Sequence, residues 1–160
     1  MEFQMNIKAI ILLNLNGKRA LAKYYDASLD PRKTESQLFQ KTRNQKKRNE
    51  IFVSDNSLVV YRFISDIHMY VVGSKNENPL ILERTLNCLV EVTSTLLNRK
   101  PESKTLTENL TQVILAFDEI CDTGILLETD PNLVLERVCL KESVAEQSLA
   151  QMFKVKMFAT

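Results

Sequence analysis

LVVYRFISDIHMYVVGS, Leu58 to Ser74, reads as two strands and a turn. Leu58 to Ile64 and Ile67 to Gly73 are rich in β-branched and aromatic residues, which fit a pleated, half-buried surface better than a helix. Ser65-Asp66 lies between them, so the spacing predicts an antiparallel pair. The second run is apolar at nearly every position. Such a strand is covered on both faces and belongs near the middle of a sheet.

The residues before this pair supply further strands. Ile51 to Ser54 predicts a short strand that turns at Asp55-Asn56. Ile7 to Asn14 (IKAIILLN) is another nearly continuous apolar run, followed by Asn16-Gly17, a strong hairpin signal. Arg19 to Tyr25 (RALAKYY) returns as its partner. Its mixed polarity suits a sheet edge, where Lys23 discourages further pairing. Asp30-Pro31 breaks the strand, and Thr34 with Gln37 has the spacing of a capping box, so a helix is expected from Thr34. Leu38 anchors it, with Phe39 alongside, and it runs into KTRNQKKR, Lys41 to Arg48.

The residues after the pair predict helices. Asn78 caps and Pro79 opens a long helix to about Asn98. Lys100-Pro101 interrupts the chain, and Thr105 with Glu108 has the spacing of another capping box. Leu106, Leu110, Val113, Ile114, Phe117, Ile120 and Cys121 form one helical stripe. Gly124 marks a turn, and Asp130-Pro131 opens a third helix carrying Leu133, Val134, Val138 and Cys139. Ser143 with Glu146 predicts a last helix over about 143–157. Strands first and helices mainly after define an α+β class: a single domain over 1–160, core about 7–140, with one antiparallel sheet between helices.

Composition narrows the function. A net charge of +1 supplies no global field for nucleic acid or a membrane surface. Cys88, Cys121 and Cys139 are odd in number and widely spaced, which predicts reduced thiols acting as small hydrophobes rather than a disulfide or metal site. Met1 to Asn6 is polar, Glu2 excludes myristoylation and the terminal MFAT has no prenylation cysteine, so no secretory signal or lipid anchor is expected. The apolar run Ala9 to Leu13 is too short to span a bilayer.

Catalysis lacks a constellation. The one histidine, His68, sits mid-strand without a partner at motif spacing, and three glycines make no phosphate-cradling loop. Asp118 and Glu119 are adjacent, and helix neighbours one apart point in different directions. No catalytic residue, cofactor or metal ligand is assigned.

Two features invite a partner. Five of the eight residues from Lys41 to Arg48 are basic (Lys41, Arg43, Lys46, Lys47, Arg48). They are either a solvated helix end, with cations at the favourable pole of the dipole, or a surface for anionic lipid, RNA or an acidic partner. Within the run no aromatic residue is interleaved, which argues against a nucleic-acid stacking surface. The second feature is the helix from Pro79. Leu82, Leu86, Leu89, Val90 and Leu96 form one stripe, while Ile81, Cys88, Val92 and Leu97 fall outside it. A helix apolar over that much of its circumference is buried on more than one side. The second cover is either the following helix or a permanent protein partner.

Together these pieces resemble the small-subunit family of vesicle coats over nearly the whole chain. GKRALAKYYD (Gly17 to Asp26) is similar to the family's hairpin return, and Leu58 to Ser74 to its strand pair. NENPLILERTLNCLVE (Asn76 to Glu91) is similar to its long-helix entry, and AFDEICDTGILLETDP (Ala116 to Pro131) to its late helical turn. LNCL, TENL and the DEICDTGILLETDP run favour the zeta branch, the small subunits of coatomer, over clathrin-adaptor sigma subunits. The resemblance implies a longin-like fold: a five-stranded antiparallel sheet with one helix on one face and several on the other. It also implies a non-enzymatic subunit of the COPI coat, held in a constitutive heterodimer with coatomer gamma. An Arf-type GTPase would bring it to Golgi membrane through the larger subunits, from a cytoplasmic pool. A sigma subunit and a longin-type tethering subunit are the alternatives. The arginine that sigma subunits use for dileucine cargo is Ala20 here, and strand alternation turns Arg19 to the opposite face, so no dileucine site is assigned.

Overall fold

Five strands, β1 (Ile7–Leu13), β2 (Arg19–Tyr24), β3 (Asn49–Ser54), β4 (Ser57–Ile64) and β5 (Ile67–Ser74), form one antiparallel sheet in the order β2-β1-β5-β4-β3. This computed structural model describes residues 6–44 and 49–158, of which 153–158 are described by backbone alone. β5 is the middle strand, as its two-sided apolarity requires: Ile67, Met69 and Val71 face one core cluster, Tyr70 and Val72 the other. The Leu58–Ser74 pairing has the expected turn, with Ile64 opposite Ile67 and Ser65 at φ 54°.

Among the described residues, helix α1 (Pro31–Thr42) alone covers one face of the sheet, burying Leu38 in a cluster with Ala9, Ile11, Val59 and Tyr70. The other face carries α2 (Pro79–Leu96), α3 (Ser103–Glu108), α4 (Leu110–Ile120) and the start of α5 (Pro131–Phe158). This is the expected longin-like α+β architecture, with helices on both faces.

Several boundaries differ from expectation, each for a local reason. α1 begins at Pro31 rather than Thr34, because Asp30 is itself the cap: its Oδ1 accepts the Arg32 N–H at 3.1 Å. The Thr34 N–H is already inside the helix, bonded to the Asp30 carbonyl. The stripe from Leu106 to Cys121 is not one helix. Asn109, at φ −120°, separates α3 from α4, and Thr105 sits inside α3, where its Oγ1 accepts the Glu102 N–H at 3.3 Å.

Cys121 leaves the helix altogether and opens a two-stranded ribbon, β6 (Cys121–Asp122) with β7 (Ile125–Leu126). Thr123 and Gly124 turn it at positive φ, and the Gly124 carbonyl accepts the N–H groups of Asn6 and Ile7. The ribbon is thereby pinned to the start of β1. Finally, α5 runs unbroken from Pro131 to Phe158 with no new start at Ser143, whose hydroxyl donates to the Leu140 carbonyl within the helix. Cys139 is exposed on it, while Cys88 and Cys121 are buried. Desolvation pushes the Cys88 thiol up to about 12, which suits an inert core residue.

Candidate partner-binding surface

The long helix α2 is placed by its cap. Asn78 Oδ1 accepts the Leu80 N–H at 3.0 Å, and Pro79 needs no hydrogen bond at the first helical position. Its two apolar sides are both used internally. Leu82, Leu86 and Leu89 share one core cluster with Cys88, Val92 and Leu97, and α4 and α5 pack on the helix. Cys88, Val92 and Leu97 are therefore not partner-facing: the chain's own helices provide the second cover. Only Ile81 of the four expected interface residues keeps part of its surface, beside the exposed Leu80 at the start of the helix.

The basic run divides. Lys41 leans across the sheet edge: its Nζ donates to the Val53 carbonyl at 3.1 Å and lies 5.5 Å from the Phe52 ring centre. In that position it guards the free edge of β3, where Ile51 and Val53 are exposed. Arg43 is exposed at the end of α1, its backbone N–H closing the last turn on the Phe39 carbonyl. Lys46, Lys47 and Arg48 lie outside the described residues.

A surface the sequence reading missed lies on α5. Its first half is core: Val134 and Val138 are fully buried. Arg137 reaches Glu128 at 3.5 Å and Glu119 at 3.9 Å, and Lys141 also pairs with Glu119, which clamps α5 to α4. Past that clamp the buried stripe continues at helical spacing as Ala145, Leu149 and Met152, which are exposed, with nothing among the described residues covering them. A second stripe, Leu133, Leu140 and Val144, spaced seven and four residues apart, is exposed along the flank. The Leu140-to-Met152 signal was present in the sequence, but an expected helix break at Ser143 cut the stripe in two.

The polar groups singled out in the sequence are held within the fold. His68 is buried, its Nδ1 2.7 Å from the Tyr61 hydroxyl, and desolvation lowers its pKa. Asp118 pairs with Lys23 of the edge strand β2, and Glu119 with the two α5 cations. Arg19 faces α1, with Nε 2.6 Å from Glu35 Oε1. A β-bulge isolates Ala20 (Leu12 pairs with Leu21, Leu13 with Arg19), and Ala20 packs toward the α2 side. Arg19 and Ala20 therefore occupy opposite faces, as expected. Among the described residues no group of histidine, cysteine or acidic side chains could hold a metal ion, and no helix is long and apolar enough to cross a membrane.

The architecture is thus an α/β/α layering with one helix on one face, a long second helix buried mostly by the chain's own helices, and a last helix whose outer half carries exposed apolar residues. The chain belongs to the clathrin adaptor complex small chain family, whose model matches residues 6–145. Within it, the chain is 37% identical over 154 residues to human coatomer subunit zeta-1, covering 92% of this chain and 86% of that protein. It is 36% identical over 160 residues to coatomer subunit zeta-2 of Arabidopsis thaliana, covering 96% and 89%. Among solved structures, a chain in a homology model of the full-length AP-3 complex superposes with a TM-score of 0.65 at 15% identity, over 91% of this chain and 98% of that one. That likeness shows the fold.

Proposed function

We propose that this chain is a non-enzymatic subunit of the COPI coat, a zeta-type small subunit bound to coatomer gamma. It works in retrograde Golgi-to-ER and intra-Golgi vesicle transport. Its place is cytoplasmic, peripheral on Golgi membrane and COPI vesicles, with recruitment by an Arf-type GTPase acting through larger subunits. The similarity to coatomer zeta subunits along almost the full chain supports the assignment. The observation that carries the binding role is α5, whose core stripe runs on past Lys141 uncovered by any of the described residues, while a second apolar stripe flanks it. Exposed apolar stripes of this kind mark protein interaction sites, and they suit the groove of a helical partner.

The test is affinity purification of the tagged chain from its own cells. Coatomer gamma and the other coatomer subunits should co-purify at near-equal stoichiometry. Recovery with clathrin-adaptor large subunits instead, or as a stable monomer, overturns the proposal.

A further inference from the structure

We propose that the free edge of β3 pairs antiparallel with β3 of a second copy of this chain. Ile51 lies on the two-fold axis, and Lys41 of each copy is set against Glu50 of the other. This reading is independent of the coat assignment.

The edge is open in its backbone. Ser54 and Ser57 pair directly across the turn at Asp55-Asn56, so the hydrogen-bonded positions toward β4 are Ser54, Phe52 and Glu50. Asn49, Ile51 and Val53 therefore turn their N–H and C=O groups outward, and the Val53 carbonyl does accept from Lys41 there. Among the described residues no strand pairs with them. Ile51 and Val53 stand opposite Val60 and Leu58, hence on the α2 side of the sheet, and both are half exposed. An unpaired apolar edge is a template for another strand.

Register and charge select a second copy as that strand. An antiparallel pair centred on Ile51 places Val53 opposite Asn49 of the other copy, and these outward groups exchange N–H to C=O bonds. Phe52 then stands opposite Glu50 of the other copy as a close, non-hydrogen-bonded pair, with Cα atoms about 4.5 Å apart. The Lys41 ammonium already lies 5.5 Å from the Phe52 ring centre on that face. It thus comes beside the second copy's Glu50, whose buried Oε2 has no hydrogen-bond partner. A carboxylate is a stronger acceptor for Lys41 than the Val53 carbonyl, which is released to the new ladder. By symmetry the contact is made twice. Arg62 is engaged by Asn49 and Asn87, while Glu83 and Asp55 stand on α2 and at the turn rather than along the paired edge.

The assembly closes at two copies. The opposite edge strand, β2, is flanked by α3 and holds Lys23 to Asp118 of α4. One open edge per chain and a two-fold axis leave nothing to extend. An edge this short makes a small interface, so the dimer is weak and depends on concentration.

The test is analytical ultracentrifugation of the purified full chain from about 1 µM to about 1 mM. A reversible monomer–dimer equilibrium is expected. Lys41→Glu and Glu50→Lys should each weaken it about tenfold or more, because each brings like charges together across the axis. Mixing the two variants should restore the dimer, since both cross-axis pairs are then opposite in charge. Circular dichroism melts establish that each variant folds. Lys41 and Ile51 are exposed, so Lys41→Glu keeps the test decisive even if Glu50→Lys unfolds the chain, as does Ile51→Glu, which sets two carboxylates face to face. A chain that stays monomeric to about 1 mM overturns the proposal. So does a dimer indifferent to Lys41→Glu or to Ile51→Glu, or a pair of folded charge variants that fail to dimerise on mixing. A dimer lost with Leu149→Glu and kept with Ile51→Glu would place self-association on α5 and overturn it too.

Discussion

The Tyr61 hydroxyl and His68 Nδ1 lie 2.7 Å apart across the β4–β5 pair, inside the face covered by α1. His68 is 6% exposed, and burial holds its pKa below the ordinary histidine value. The unfolded chain therefore takes up a proton at higher pH than the folded one. The stability this histidine contributes is complete above its unfolded pKa of about 6.5 and is lost as pH falls from there through the lower folded value. Urea midpoints should fall between pH 7 and pH 5, and His68→Gln should flatten that slope. Asp26, held low mainly by hydrogen bonds from Ser28, acts only in more acidic solution, so the two are separable. A slope unchanged by His68→Gln would mean that the imidazole does not carry it.

Val92 and Ile81 were equivalent as sequence positions and are not equivalent in the structure. Val92 is fully buried, so Val92→Asp places a carboxylate in the core and should unfold the isolated chain, with a loss of several kcal/mol. Ile81 is half-buried, so Ile81→Asp should leave the far-ultraviolet spectrum intact and lower the melting temperature only modestly. Equal unfolding by both variants would contradict this assignment of the two sides of α2.

Periodicity and turn chemistry made the sheet legible. Leu58–Ser74, Asn16-Gly17 and Asp55-Asn56 each lie where the strand pairings require. Cap positions are harder, because an Asp-Pro pair ends a strand as readily as it opens a helix, and Asp30-Pro31 opens α1. Partner surface was hardest to see. Apolarity around α2 is the same signal whether α4 and α5 or another protein provides the cover, and only the packing separates the two.

Gly73 closes the central strand under α2, where a Cβ would stand 2.8 Å from both methyl carbons of Leu82 and 3.1 Å from the Asn6 carbonyl. Leu82 is fully buried and has no free direction in which to swing. Gly73→Ala should therefore destabilise by about 1–3 kcal/mol in urea denaturation. Truncating the obstructing side chain relieves the clash, so the Gly73→Ala, Leu82→Ala double variant should cost less than the sum of the single ones. Strict additivity would show that the clash is not the cause.

The two halves of α5 should respond oppositely to substitution. Val138 is enclosed with Val134 in the cluster beneath α2 and α4, and Val138→Ala should cost on the order of 2 kcal/mol of folding stability. Leu149 lies on the same helical stripe, eleven residues on, yet is 56% exposed. Leu149→Glu, or the flank pair Leu140→Glu and Val144→Glu, should leave the urea midpoint of the isolated chain within about 0.5 kcal/mol of the parent. In co-purification with the large partner subunit, those surface variants should be the ones that fail, while Val138→Ala is still recovered in proportion to its folded fraction. Recovery of Leu149→Glu and of the flank pair at parental levels would move the partner surface off α5 and toward the start of α2 at Leu80 and Ile81.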